Sequence, residues 1–350
     1  MKVKEDSLLM LLLPEMMDGA QERYEILRQI HEWQPVGRHI LAVQTKLPES
    51  TIRKHIEKME KAGLLISRPS GMSLTSKGES LLGPLAPYLQ KSPSLSYMEK
   101  KLESILSMEK VIVVRGDSDR SPEVNNEISQ EGALVLLRIL RDGHIAAVSG
   151  GPEIAGIANA LPTLHMKVDV VPARGGFGRK IEYLPNLVAA RMAERLGGTY
   201  HLMTIPDGLS PELFLKVKKE LPQLKVVDEL IAKTDILLTG VDDPGDASRW
   251  MELPGDVRAR LASHGAAGEA LGLYVDIHGK VLYRMYNAGI SGDEISSIPH
   301  VLIAAGGCHK GAAILAMARA GIRGTLITDE GAGNEILSLM VGKESETGGY

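Results

Sequence analysis

Residues 36–79 read VGRHILAVQTKLPESTIRKHIEKMEKAGLLISRPSGMSLTSKGE, and this stretch decides the architecture of the N-terminal part of the chain. Ile40, Leu41 and Val43 are spaced to face a core, and Lys46-Leu47-Pro48 breaks that first helix. Ile52, Ile56 and Met59 then recur at the spacing of a second amphipathic helix. Gly63 stands where a helix usually ends. Beyond it, Leu64–Ile66 and Met72–Thr75 flank a Pro69-Ser70-Gly71 tip, the pattern of a β-hairpin. Two short helices followed by a hairpin predict a winged helix-turn-helix. The polar face of the second helix carries Thr51, Arg53, Lys54, His55 and Lys58, with Ser50 at its start. Arg38 precedes it, and Arg68 and Lys77 flank the wing. Hydroxyl and basic groups at a helix start suit a major groove, where they reach base edges and phosphates. DNA is therefore the expected partner, with Arg38, Ser50, Thr51, Arg53, Lys54, Lys58 and Arg68 as candidate contacts. Two features oppose this: Pro48 replaces the usual Ser, Thr or Asp cap, and Glu49 and Glu57 bring negative charge toward the phosphates.

At 350 residues and 44% apolar, the chain is long enough for two or more domains with substantial cores. Its formal net charge is −4, so DNA affinity must arise from a local basic face and not from a global field. Cys308 is the one cysteine, which excludes an internal disulfide framework and multi-cysteine zinc sites and fits a reducing cytoplasm. Leu8–Leu13 is too short to span a bilayer and follows Glu5 and Asp6, unlike a signal peptide. It is expected to be a helix packing on the DNA-binding domain. Another helix is expected over Gln21–Trp33, with Ile26, Leu27 and Ile30 on one face.

Prolines 84, 87 and 93 within LLGPLAPYLQKSPSL (81–95) are expected to stop long helices and to mark a domain boundary. A stripe of Leu95, Met98, Leu102, Ile105 and Leu106 follows, either ordinary core or a dimer seam. Two-fold DNA reading favours the seam, and with it a homodimer or homotetramer. From Val111 onward, short β-branched runs alternate with helical patterns, which calls for a mainly parallel, doubly wound sheet covered on both faces. The expected organisation is a winged helix-turn-helix over 1–90, a linker helix over 91–110 and an α/β domain over 111–342.

Ligands of such sheets lie beyond the C-terminal strand ends. Four of those ends are glycine-rich or charged: Val148-Ser149-Gly150-Gly151, Val171-Pro172-Ala173-Arg174-Gly175-Gly176, Leu238-Thr239-Gly240-Val241 and Ala304-Ala305-Gly306-Gly307-Cys308-His309-Lys310. Backbone amides with Arg174 and Lys310 suit a phosphorylated small molecule. Neither GxGxxG nor GxxxxGK[ST] occurs, so nicotinamide cofactors and ATP are not expected. Asp242, Asp243 and Asp246 sit in a Pro-Gly loop and are read as turn formers, not metal ligands. Cys308-His309 are adjacent and so poorly placed as nucleophile and base, and the remaining histidines lack metal-ligand spacing. A sugar-phosphate isomerase or deaminase would need a positioned acid/base pair, and Glu269 shows no partner in the sequence.

Together with the wing, Gly116-Asp117-Ser118-Asp119, the Val148–Gly151 loop, VPARGG (171–176), Gly306-Gly307 and Thr328-Asp329-Glu330-Gly331-Ala332 resemble the SorC family of sugar-responsive bacterial transcription regulators over nearly the whole chain. The resemblance implies a DNA-binding domain joined to a sugar-phosphate sensor whose sheet is like that of sugar-phosphate isomerases. In the branch governing glycolytic genes, the implied effector is fructose 1,6-bisphosphate, which weakens operator binding by a repressor. Carried over by position, Gly150, Gly151, Arg174, Gly176, Gly178, Arg249, Glu269 and Lys310 fall on the effector-binding pattern. One departure stands out: where the family places two hydroxyl residues after Gly-Gly, this chain has Pro152-Glu153. Proline lacks an amide hydrogen, and a carboxylate repels a phosphate. A monophosphate, a differently posed bisphosphate or a loss of sensing are left open.

Overall fold

The computed structural model describes residues 14–45, 47–89, 93–176, 180–221, 224–250, 253–292 and 294–347. The expected Leu8–Leu13 helix and the turn residue Lys46 lie outside them. The chain divides between Pro93 and Ser94 into two compact units.

In the first unit, helices Pro14–Trp33, Arg38–Thr45 and Glu49–Lys61 precede an antiparallel hairpin of β1 (Leu65–Arg68) and β2 (Gly71–Leu74), and helix Ser76–Leu89 follows. Ile26, Leu27, Ile30, Leu41, Ile52, Ile56, Met59, Leu65 and Met72 form its core. The wing and the apolar face of the Glu49–Lys61 helix are as expected. Two other expectations fail. Ile40 and Val43 are 50% and 64% exposed, because the eight-residue Arg38–Thr45 helix meets the core along the line of Leu41, with Ala42 beside it. At about 100° per residue, positions 40 and 43 point away from that line. Pro84 and Pro87 also do not stop the Ser76–Leu89 helix. A proline frees the carbonyl four residues earlier, and here Ser80 and Gly83 are exposed, so water can take over those carbonyls.

The second unit contains, in chain order, β3 (Lys110–Val114), β4 (Ile145–Val148), β5 (Asp169–Pro172), β6 (Thr199–Tyr200), β7 (Ile236–Gly240), β8 (Ala266–Ala270), β9 (Leu273–Asp276), β10 (Val281–Arg284), β11 (His300–Ala304) and β12 (Thr325–Asp329). Seven of these form a wholly parallel sheet in the order β3-β12-β11-β7-β4-β5-β6. β8, β9 and β10 form a separate antiparallel sheet that the sequence reading did not anticipate. Both faces are covered: alternate residues of β3 enter different cores, Val111 and Val113 with helix Gly311–Arg319, and Ile112 and Val114 with helix Pro122–Ile139. Among the described residues no helix is long and apolar enough to cross a membrane.

Helix Pro93–Leu106 is neither a free linker nor an exposed seam. Leu95, Met98, Leu102 and Leu106 are buried in the same core as Val111, Leu326 and Ile336 of the second unit. An apolar stripe covered in this way inside its own unit has no face left for a partner helix. In the sheet, the chain runs from β4 outward through β5 and β6, then returns to β7 and continues the other way through β11 and β12. The crevice at the C-terminal ends of β4 and β7 is thus a topological switch point, where open α/β sheets bind ligands.

Candidate functional site

At the end of β4 the backbone turns through two left-handed glycines, Gly150 (φ +85°) and Gly151 (φ +91°). A Cβ on Gly150 would lie 2.5 Å from the Tyr183 carbonyl oxygen, so the turn requires glycine sterically as well as torsionally. The Gly151 amide donates to that same carbonyl at 2.9 Å. Helix Pro152–Ala160 begins immediately after, with Pro152 and Glu153 in its first turn. Ser149 ties β4 to β7: its amide donates to the Leu238 carbonyl at 3.0 Å, and its Oγ accepts from the Gly240 amide at 3.4 Å.

Lys310, on the single turn Cys308–Lys310 after β11, donates from Nζ to Glu153 Oε1 at 2.6 Å and to Asp242 Oδ1 at 2.8 Å. Lys310 and Glu153 are nearly enclosed, whereas the Asp242 side chain is 36% exposed and forms the open side. Burial alone would lower the Lys310 pKa, but Glu153 and Asp242 outweigh it and hold the ammonium well above the ordinary lysine range.

Arg174, after β5, is also buried. Its Nε donates to Asp207 Oδ2 at 2.7 Å and its Nη1 approaches Glu269 Oε1 at 3.4 Å. Asp207 Oδ1 accepts from the Gly175 amide at 2.8 Å, and Glu269 Oε1 from the Gly272 amide at 2.7 Å. Burial works against the guanidinium's charge, yet Asp207 and Glu269 keep it firmly protonated. For Glu269 burial prevails: its carboxyl titrates above the ordinary range, although Arg174 and the Gly272 amide oppose the shift. Asp242 and Glu269 exchange both backbone hydrogen bonds at 3.0 Å. One connected array therefore runs Asp207, Arg174, Glu269, Asp242, Lys310, Glu153, with four carboxylates to two cations.

Several sequence readings need correction here. Asp242 is not a turn former: its carboxylate is bound to Lys310, while Asp243 makes the turn by accepting from the Gly245 and Asp246 amides at 2.8 and 3.2 Å. Glu269 does have a partner, Arg174, but a carboxylate paired to a permanently charged guanidinium is not an acid/base couple. Asp207 was missed altogether. Gly176 lies on the Arg174 loop with open space around it. Gly178 and the Arg249 side chain lie outside the described residues, although Arg249 falls within helix Pro244–Trp250.

The Asp117–Asp119 and Asp329 motifs serve to fasten strand ends. Buried Asp329 accepts from the amides of Ser118, Gly307 and Ala332 at 2.7–2.8 Å. His309 pairs with Asp119 at 2.6 Å, and Cys308 Sγ lies 3.9 Å from Glu335 Oε2, so the adjacent pair has separate partners. Burial first, then Glu335, Asp117 and Asp119, raise the Cys308 thiol above its ordinary value, the reverse of what a nucleophile needs.

In the first unit, Arg38, Ser50, Arg53, Lys54, Lys58 and Arg68 are exposed and Thr51 is half-buried. Helix Glu49–Lys61 starts at Pro48 with no side-chain cap bond. It ends at Gly63 (φ +71°), where the Leu64 amide donates to the Met59 carbonyl at 2.9 Å. His55 does not belong to the polar face: it is buried, with Nε2 2.6 Å from Glu22 Oε2 and Nδ1 accepting from Arg23 Nε at 3.2 Å. Lys77 bonds the Ala62 carbonyl at 3.0 Å, at the negative end of that helix, and so stabilises the helix. Glu49, near the expected phosphates, is paired with His39 at 2.8 Å.

Comparison with known proteins agrees with this layout. Residues 20–89 match the family model "CggR N-terminal DNA binding domain" and residues 93–338 the model "Putative sugar-binding domain". A central glycolytic genes regulator from Priestia megaterium is 34% identical over 329 residues, covering 93% of this chain and 96% of the relative. Its namesake from Bacillus subtilis is 30% identical over 328 residues, with the same coverage. Among solved structures, a SorC family transcriptional regulator from Enterococcus faecalis superposes with a TM-score of 0.64 at 30% identity, over 69% of this chain and 99% of that one. The full-length sorbitol operon regulator SorC from Klebsiella pneumoniae, 18% identical, shares the fold over 91% of this chain and 99% of its own, with a TM-score of 0.63. These relatives are named as transcription regulators and not as enzymes; with a DNA-binding model followed by a sugar-binding model along it, the chain belongs to the SorC family, in the group of the central glycolytic genes regulators.

Proposed function

We propose that this protein is a cytoplasmic repressor of glycolytic genes, whose grip on operator DNA is modulated by a phosphorylated sugar bound at the switch point of the second unit. What supports the reading most is one pairing within a single chain: an exposed cationic face on helix Glu49–Lys61, and two buried cations at glycine-rich strand ends of the main sheet. Residues 1–90 carry the DNA-binding role and residues 111–342 the sensing and assembly roles. Arg38, Ser50, Thr51, Arg53, Lys54, Lys58 and Arg68 contact the operator. Gly150, Gly151, Arg174, Gly176, Gly178, Arg249, Glu269 and Lys310 surround the effector, for which the family resemblance suggests fructose 1,6-bisphosphate. A homodimer or homotetramer supplies the two-fold symmetry that paired half-sites require.

Arg174 is held by Asp207 and Glu269, and Lys310 by Glu153 and Asp242, so an incoming ligand competes with these carboxylates for the two cations. Binding then rearranges the strand ends, and the change in ligand affinity between two states of the sensor modulates the DNA-binding unit. Fluorescence anisotropy with a labelled promoter fragment, titrated in the presence of hexose phosphates, tests the reading. The expected result is operator binding that one sugar phosphate weakens. Binding indifferent to every sugar phosphate removes the sensor, and absence of binding removes the regulator.

A further inference from the structure

Glu153 is the group that sets this crevice apart from a simple phosphate cradle. Lys310, its cation, is already bound by two carboxylates, Glu153 at 2.6 Å and Asp242 at 2.8 Å. Glu153 is enclosed, so a second anion beside it would face a charge that water cannot screen. The helix start behind it is an incomplete cradle. Pro152 has no amide hydrogen, and the Gly151 amide is engaged by the Tyr183 carbonyl at 2.9 Å. Two amides that could have cradled a phosphate at this helix start are thereby absent or occupied.

The same three side chains are well suited to a polyol. Carboxylate oxygens accept from hydroxyl protons, an ammonium donates to hydroxyl oxygens, and Asp242 keeps an open side toward solvent. Arg174 lies at the other end of the array, joined to Lys310 through the backbone pairing of Asp242 with Glu269. We propose that Glu153 is a specificity-determining residue: with Asp242 and Lys310 it reads sugar hydroxyls and rejects phosphate at that end, so the effector is a sugar monophosphate and not a bisphosphate. This rests on the reading of the second unit as a sugar-phosphate sensor and narrows it.

Calorimetry on the full chain decides the matter, with fructose 1-phosphate, fructose 6-phosphate, glucose 6-phosphate and fructose 1,6-bisphosphate titrated separately. At least one monophosphate is expected to bind about tenfold or more tightly than the bisphosphate, because specificity here comes from a built-in repulsion. In Glu153→Gln, which keeps the shape and removes the charge, that preference is expected to shrink by about tenfold. The proposal is overturned if the parent protein binds the bisphosphate as tightly as every monophosphate, or if Glu153→Gln leaves the preference unchanged. Should the variant fail to fold, the ranking on the parent chain decides alone. Bisphosphate preference overturns this inference and leaves the sensor intact, whereas no binding of any sugar phosphate overturns both.

Discussion

Lys310 Nζ lies 2.6 Å from Glu153 Oε1, although the two residues are 157 positions apart in sequence. The parallel sheet brings them together, since Glu153 follows the C-terminal end of β4 and Lys310 that of β11, with only β7 between those two strands. The worth of the pair depends on ionisation, which pH can probe. Lysine's ordinary pKa is 10.5, and in the folded protein Lys310 titrates higher, since Glu153 and Asp242 outweigh the opposing effect of burial. A folded-state pKa above the unfolded one stabilises fully below pH 10.5 and is lost as pH rises through the folded value. Urea unfolding of the parent chain is thus expected to show a loss of stability above about pH 10.5 that is absent from Lys310→Met. Parallel pH profiles for the two proteins would show that the pair is not strongly coupled.

Arg174 tests the other end of the array. Both of its carboxylate partners, Asp207 and Glu269, are almost wholly buried. Removing the guanidinium leaves them uncompensated, and Arg174→Ala is expected to cost about 3–5 kcal/mol of stability, the usual loss when one member of a buried pair is deleted. Denaturant midpoints measure this directly. A cost under about 1 kcal/mol would place the pair in the class of weak surface bridges.

The pattern of what the sequence revealed follows from where the information resides. The alternation of β-branched runs with helical patterns from Val111 onward announced a mainly parallel, doubly wound sheet, because burial on both faces imposes local composition. Glycine-rich strand ends located the crevice for the same local reason. Asp207 and Asp242 were not legible as site residues, since their roles depend on Arg174 and Lys310 in other strand-end loops. Periodicity likewise placed His55 on the polar face, whereas Glu22 and Arg23, from a different helix, supply the partners that make its burial tolerable. In the sheet of β8, β9 and β10, Ala-Ala-Gly-Glu-Ala carries no β-branched signal, whereas the Val and Tyr residues of Leu273–Asp276 and Val281–Arg284 do and were overlooked.

His55 and Arg53 should separate folding from DNA reading. Arg53 is exposed, and its Nε is only loosely placed, 4.0 Å from Glu57 Oε1. Arg53→Ala is expected to leave stability within about 0.5 kcal/mol and, if the guanidinium reads a base, to cost about 1–3 kcal/mol of operator affinity. His55→Ala is expected to act the other way, destabilising the first unit by about 1–3 kcal/mol through its unpaired neighbours. Anisotropy and thermal melts on both variants check the split. An Arg53 variant with unchanged affinity would take this residue out of the interface.

The apolar stripe of helix Pro93–Leu106 gives the last test. Leu102 is fully buried and shares a core with Leu95, Leu106, Val111 and Ile336, all from the second unit. Truncation there leaves a cavity in a packed interior, so Leu102→Ala is expected to cost about 2–5 kcal/mol. A dimer seam makes a different prediction, because weakening it would make both mass and stability depend on protein concentration. Light scattering beside urea unfolding at two concentrations tells these apart. Unchanged mass with a concentration-independent loss of stability identifies internal core. A fall in mass from a variant that stays folded would return the stripe to the subunit interface, and with it the assembly that operator reading calls for.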